Sequence, residues 1–135
     1  MLLNSLNKPE RLKSSRLIGE LVKSGNSFTV MPLKSFWKIS TNAGARWPAQ
    51  IAVSVPSKNF KRSVDRNLIK RRMREAYRIN KHDLYKYLSD HNLLLIFVLL
   101  YLPKTIYSFQ QIEESMKKII GTFIDQLRNH DTLIF

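Results

Sequence analysis

Apolar positions along this chain follow two periods, and the switches between them divide it into elements. Across residues 8–24, Leu12, Leu17, Ile18, Leu21 and Val22 share one face of a helix; Pro9 suits its first turn and Gly25 its C′ stop. Residues 27–39 read as extended, with Pro32 marking either a bulge or the join between two short strands. The small and polar run 40–46 is a turn. In 48–56, Ile51, Val53 and Val55 alternate with Ala52 and Ser54, which predicts a strand with one better-buried face. A helix follows over 63–79. Residues 80–92 are polar and turn-like, with a short helical extension through Leu84 and Leu88 as one option. The unbroken run LLLIFVLLYL, 93–102, is too short for the roughly 20 residues of a membrane-spanning helix and predicts a strand buried on both faces. The last helix opens at Ser108, which forms a capping box with Gln111, and buries Ile112, Met116, Ile119, Ile120, Phe123, Ile124 and Leu127. The order α-β-β-β-α-β-α makes a two-layer α/β sandwich on a single sheet. One domain over 9–128 is expected between short tails, 1–8 and 129–135.

The polar positions are most informative in the helix over 63–79. Arg66, Lys70, Arg74 and Arg78 recur every fourth residue and so form one stripe, with Asn67 and Arg71 beside it. Val64, Leu68, Ile69, Met73, Ala76, Tyr77 and Ile79 take most of the other side, and Arg72 stands among them. Like charges four residues apart cost an isolated helix roughly 0.2–0.5 kcal/mol per pair. Such a stripe makes sense against a polyanion. Ten cations between Lys58 and Lys81 face only Asp65 and Glu75, a net +8 out of +13 for the whole chain. Lys58, Lys61 and Arg62, just ahead of the helix, extend the basic surface.

Composition narrows the chemistry. A pI near 10.3 points to nucleic acid or an anionic surface. No cysteine is present, which removes disulfides and thiolate metal sites, and the N-terminus lacks the apolar core of a signal peptide. The ten acids are scattered rather than clustered as a metal-dependent nuclease needs them. Asp65 and Glu75 read as local charge balance. His82, His91 and His130 lack ligand spacing. Catalytic and metal-ligating residues are therefore expected to be none, and binding to be the task.

The run RNLIKRRMRE resembles the protein subunit of bacterial ribonuclease P, whose central helix carries Arg-Asn-Arg, Lys-Arg and Arg-Glu. Leu12, Gly25, Ser57 and Lys58 stand where that family has a Leu, a helix-closing Gly and a Ser-Lys segment, so the likeness covers about residues 11–127. Leu68 departs from the second Arg of the motif, and Lys61 replaces a usual Gly. The resemblance implies a ribosomal-protein-like fold with a four-stranded sheet and a left-handed βαβ crossover, against the usual right-handed rule. It implies that Arg66, Asn67, Lys70, Arg71 and Arg74 grip the catalytic RNA, as guanidinium forks and an amide can. It also implies a cleft for the single-stranded 5′ leader of precursor tRNA, between the first helix and the sheet. There the family's Phe pair reads Ile18 and Val22, and the second strand offers Phe36, with Trp37 one register away. Ile18, Val22 and Phe36 could equally be core.

By the same resemblance the RNA subunit and its Mg²⁺ ions carry out the hydrolysis, and the protein binds no cofactor of its own. One protein per RNA, a cytoplasmic location and no membrane partner are expected. Two other readings of the basic helix are a ribosomal or other structured-RNA-binding protein, and a DNA-binding regulator. No helix-turn-helix pair precedes the basic helix.

Overall fold

The computed structural model of the protein describes residues 6–41 and 47–130. Its four strands are β1 (Asn26–Val30), β2 (Leu33–Thr41), β3 (Ala49–Ser54) and β4 (Leu93–Tyr101), in the spatial order β1-β2-β4-β3. β1 pairs with β2, and β2 with β4, in antiparallel fashion; β3 runs parallel to β4. A parallel pair needs a long crossover, and α2 (Ser63–Asn80) with α3 (His82–Asp90) provides it. The remaining helices are α1 (Ser15–Ser24) and α4 (Phe109–His130).

The sheet has two unequal faces, as the period-2 pattern requires. On one, Leu33, Trp37, Ile51, Leu95, Phe97, Leu99 and Tyr101 join the buried sides of α2, α3 and α4 in the main core. Phe123 of α4 meets Trp37 and Phe97 edge-to-face. On the other, α1 lays Leu21 over Phe36 and Val98, with Leu12 beside them and Leu17 and Ile18 at the margin. The apolar run 93–101 is thus a central strand buried on both sides, with Leu93, Leu95, Phe97, Val98, Leu99 and Tyr101 all enclosed.

Several boundaries differ from the sequence expectation, each for a local reason. The first helix starts at Ser15, not Lys8; Ser14 caps it by accepting from the Leu17 N–H. Lys8–Glu10 form a separate 3₁₀ turn. Arg11 then pairs with Ile51 as an isolated bridge, the Leu12 N–H donates to the Ile51 carbonyl at 2.8 Å, and the Gln50 amide donates to the Pro9 carbonyl. Residues 9–12 therefore line the outer edge of β3, which a continuous helix could not do. Residues 6–8 are not a tail, since Leu6 packs against the main core.

Gly25 closes α1, but with φ −75° rather than in the left-handed region. Glycine fits there because a Cβ would lie 2.6 Å from the Leu21 carbonyl oxygen. Pro32 joins two strands, through a cis Met31–Pro32 peptide bond. Of the turn expected over 40–46, Ser40 and Thr41 belong to β2, and 42–46 lie outside the described residues. The segment 80–92 is a full helix, α3, which buries Leu84, Tyr87 and Leu88. α4 runs on to His130, so 129 and 130 are helical, and 131–135 lie outside the described residues.

Candidate RNA-binding surface

Helix α2 forms where the stripe predicts, and its apolar side docks Ile69, Met73, Ala76 and Tyr77 into the core. Val64 and Ile79, placed on that side by periodicity, are exposed because they fall at the ends of the helix, beyond the elements it packs on. The stripe divides into cations with a structural task and cations without one. Arg66 donates to the carbonyls of Phe60 and Lys61, at 2.7 and 2.9 Å, and so ties down the segment leading into the helix. Arg78 forks onto the Glu75 carboxylate, which is held below its usual range by that hydrogen bond. Arg72, on the apolar side, reaches the Tyr107 carbonyl at 2.6 Å. By contrast, Lys58, Lys61, Arg62, Lys70, Arg71 and Arg74 pair with no carboxylate among the described residues. Asn67 is exposed beside them.

Lys81 leaves the cationic surface altogether. It is 1% exposed, with its ammonium 2.5 Å from the Glu10 carboxylate, which is wholly buried. Tyr85 also donates to Glu10 at 2.5 Å, and the Asn7 N–H does so at 2.6 Å. Burial pushes the Glu10 carboxyl upward, but these donors and the Lys81 charge outweigh it and hold the carboxyl below the ordinary range. The Tyr77 hydroxyl donates to that of Tyr85, and burial raises both phenols. This network clasps the N-terminal turn to the junction of α2 and α3.

A groove of about 220 Å³ opens where the first segment, β3 and α2 meet. Ile18 and Arg74 both line it. Ile18, one of the residues expected at the leader cleft, and Arg74 of the stripe thus share one depression. The other leader candidates scatter. Val22 is 48% exposed at the far end of α1. Phe36 is 8% exposed, enclosed by Leu12, Leu21 and Val98, and forms the floor under α1. Trp37 is withdrawn from the cleft: strand alternation points it to the opposite face, where it is buried against Phe123. Lys34 and Lys38, which alternate with Phe36 on the α1 face, were not singled out by sequence; the Lys34 ammonium stands 5.1 Å from the Phe36 ring. Arg11 and Lys13 also border the groove. Nothing in the periodicity of the chain marked them, because the segment holding them is neither helix nor regular strand.

Among the described residues no three His, Asp or Glu side chains converge as metal ligands. No helix there is long and apolar enough to cross a membrane.

The sequence model of the family described as Ribonuclease P matches residues 6–123. The chain belongs to the ribonuclease P protein family. A ribonuclease P protein component of Porphyromonas gingivalis is 33% identical over 113 residues, 84% of this chain and 82% of that one. One from Chlorobium phaeobacteroides is 43% identical over 84 residues, 61% of this chain and 58% of its own. The solved structure of the Staphylococcus aureus RNase P protein superposes with a TM-score of 0.63 at 21% identity, covering 84% of this chain and 94% of that one. The RNase P protein from Thermotoga maritima gives 0.62 at 20% identity, covering 84% and 96%. Likeness at that level of identity speaks for the fold, a single mixed four-stranded sheet with helices on both faces. The family's place is in the 5′ maturation of transfer RNA.

Proposed function

We propose that the chain acts as the RNA-binding subunit of a bacterial ribonuclease P, in the cytoplasm, with one protein on each catalytic RNA. In this reading the RNA and its Mg²⁺ ions hydrolyse the phosphodiester bond that frees the mature 5′ end of tRNA. The protein neutralises phosphates of the RNA fold and holds the leader of the precursor. The observation that carries the reading is the face of α2: Lys70, Arg71 and Arg74 stand together without an acid partner, next to a groove that continues toward α1. Uncompensated cations on a rigid helix are a suitable partner for closely spaced phosphates. The reading places the chemistry on the RNA; among the described residues no carboxylates of this chain converge.

Reconstitution tests the proposal. The purified chain, freed of RNA, leaves a precursor tRNA intact; with a bacterial ribonuclease P RNA and Mg²⁺ it yields the mature 5′ end at low salt and low RNA concentration, where the RNA alone is slow. Cleavage by the protein alone at a rate comparable to the complex would overturn it. So would an RNA whose activity the protein leaves unchanged.

A further inference from the structure

We infer that Arg11 and Arg74 together clamp one phosphate of an RNA strand lying in the groove between residues 8–12, β3 and α2. The inference rests on the RNA-binding reading above. It adds a residue, Arg11, that lies outside both the α2 stripe and the motif shared with the family.

The argument starts with how Arg11 is held. Its neighbour on one side, Glu10, is locked by Lys81, Tyr85 and Asn7. Its neighbour on the other, Leu12, is buried under α1 and bonded to the Ile51 carbonyl. Arg11 itself bridges to Ile51 along the strand edge. The backbone is thus pinned on both sides, and the Arg11 side chain lines the groove together with Arg74. Arg74 comes to the same place from the middle of α2 and is half-buried there.

Two guanidinium groups so placed repel each other, and neither has a carboxylate partner among the described residues. Burial, and then the neighbouring Arg11 charge, pull Arg74 below the usual arginine value. The fold works to build this juxtaposition, with a buried ion pair on one side and a strand bridge on the other, yet supplies no anion for it. A phosphodiester oxygen pair supplies one, because each guanidinium can present two parallel N–H donors to it. The floor beside the pair is apolar, with Ile51, Ala52 and Val53, which suits a sugar or base face next to the phosphate.

A clamp on one shared phosphate has a signature that two independent contacts lack. The probe is a ten-nucleotide single-stranded oligouridylate, with its affinity measured against salt. Arg11→Gln and Arg74→Gln each weaken binding roughly tenfold, the scale of one charge-assisted hydrogen-bonded contact. Either single variant leaves one guanidinium on the shared phosphate, so the log–log salt slope changes little. The double variant frees that phosphate and lowers the slope by about 0.7, not by about 1.4, and its affinity loss departs from the sum of the two single losses. Arg11→Lys keeps the slope, since the charge remains, but recovers only part of the affinity. Circular dichroism on each variant establishes that the fold is retained, and Arg11, being exposed, is removable without opening the core.

Additive losses with a slope change near 1.4 would mean two separate phosphates and overturn the clamp. Wild-type binding by both single variants would overturn it as well. The functional reading fails differently: the wild-type chain would then neither bind the oligonucleotide in a salt-dependent way nor support 5′ processing by the RNA.

Discussion

Arg66 lies on the cationic stripe but spends its guanidinium on the chain itself. Its two carbonyl partners, Phe60 and Lys61, belong to the segment that enters α2. Lys70, one turn further on, has no such duty. The two residues look equivalent in sequence and differ in consequence. Arg66→Ala lowers both RNA affinity and stability, the latter by roughly 1–3 kcal/mol, because it takes the donor from the part-buried Phe60 carbonyl and releases the exposed one of Lys61. Lys70→Ala lowers affinity and leaves stability within about 0.5 kcal/mol. Urea denaturation of both variants, set beside RNA titrations, checks the distinction, and equal stability changes would refute it. Spacing alone identified the stripe, because a four-residue repeat of long cations is a property of the helix. It could not separate the cations that brace the fold from those left for a partner. That division depends largely on carbonyls brought in from outside the helix, as Arg72 on Tyr107 also shows, whereas Arg78 is taken up by Glu75 one turn back on α2 itself.

The elements were legible wherever apolar periodicity was strong. β4, α2 and α4 stand where their patterns put them, within a few residues. The beginning of the chain was misread because Pro9 and Leu12 fit a helix, while the actual determinant, Glu10, acts through residues far along the sequence. Its partners Lys81 and Tyr85 flank the start of α3, the helix that polar composition concealed. Breaking one side of a buried pair leaves the other charge uncompensated, so Glu10→Gln costs about 3–5 kcal/mol. The pH dependence has a definite sign. The folded carboxyl titrates below 4.5, so its contribution is present above the unfolded value and is lost as pH falls through the folded one. The stability gap between wild type and Glu10→Gln is thus steady from neutral pH down to about pH 5 and narrows below 4.5. Chemical denaturation across that range measures it; a gap independent of pH down to 3 would show that ionised Glu10 is not what holds the turn.

For the molecule as a whole, the fold brings α1 and α2 to walls of one groove, so that in the proposed reading Ile18 and Arg74 would meet the same strand of RNA. The sequence placed Ile18, Val22, Phe36 and Trp37 in one cleft by resemblance. The fold keeps Ile18 at the groove but buries Phe36 beneath α1 and Trp37 in the main core, because alternation along β2 sends the two rings to opposite faces. Phe36→Ala therefore shows itself first as lost stability. Ile18→Phe, on the open wall, adds a ring on which a leader base can stack, an interaction worth roughly 1–3 kcal/mol. It raises the affinity for precursor tRNA relative to mature tRNA in the assembled enzyme, and an unchanged ratio would remove Ile18 from the leader path. One further consequence follows from the strand order. β4 lies between β2 and β3 but is made after α2. At 5–20 residues per second, the interval from Asn80 to Tyr101 lasts roughly one to four seconds of synthesis. During it the basic helix is already complete as a segment, while the strand that joins the two halves of the sheet does not yet exist. The growing chain thus passes through a stage in which its charge is fully present and its geometry is not. Its choice of RNA partner has a time of onset, set by the moment the central strand arrives.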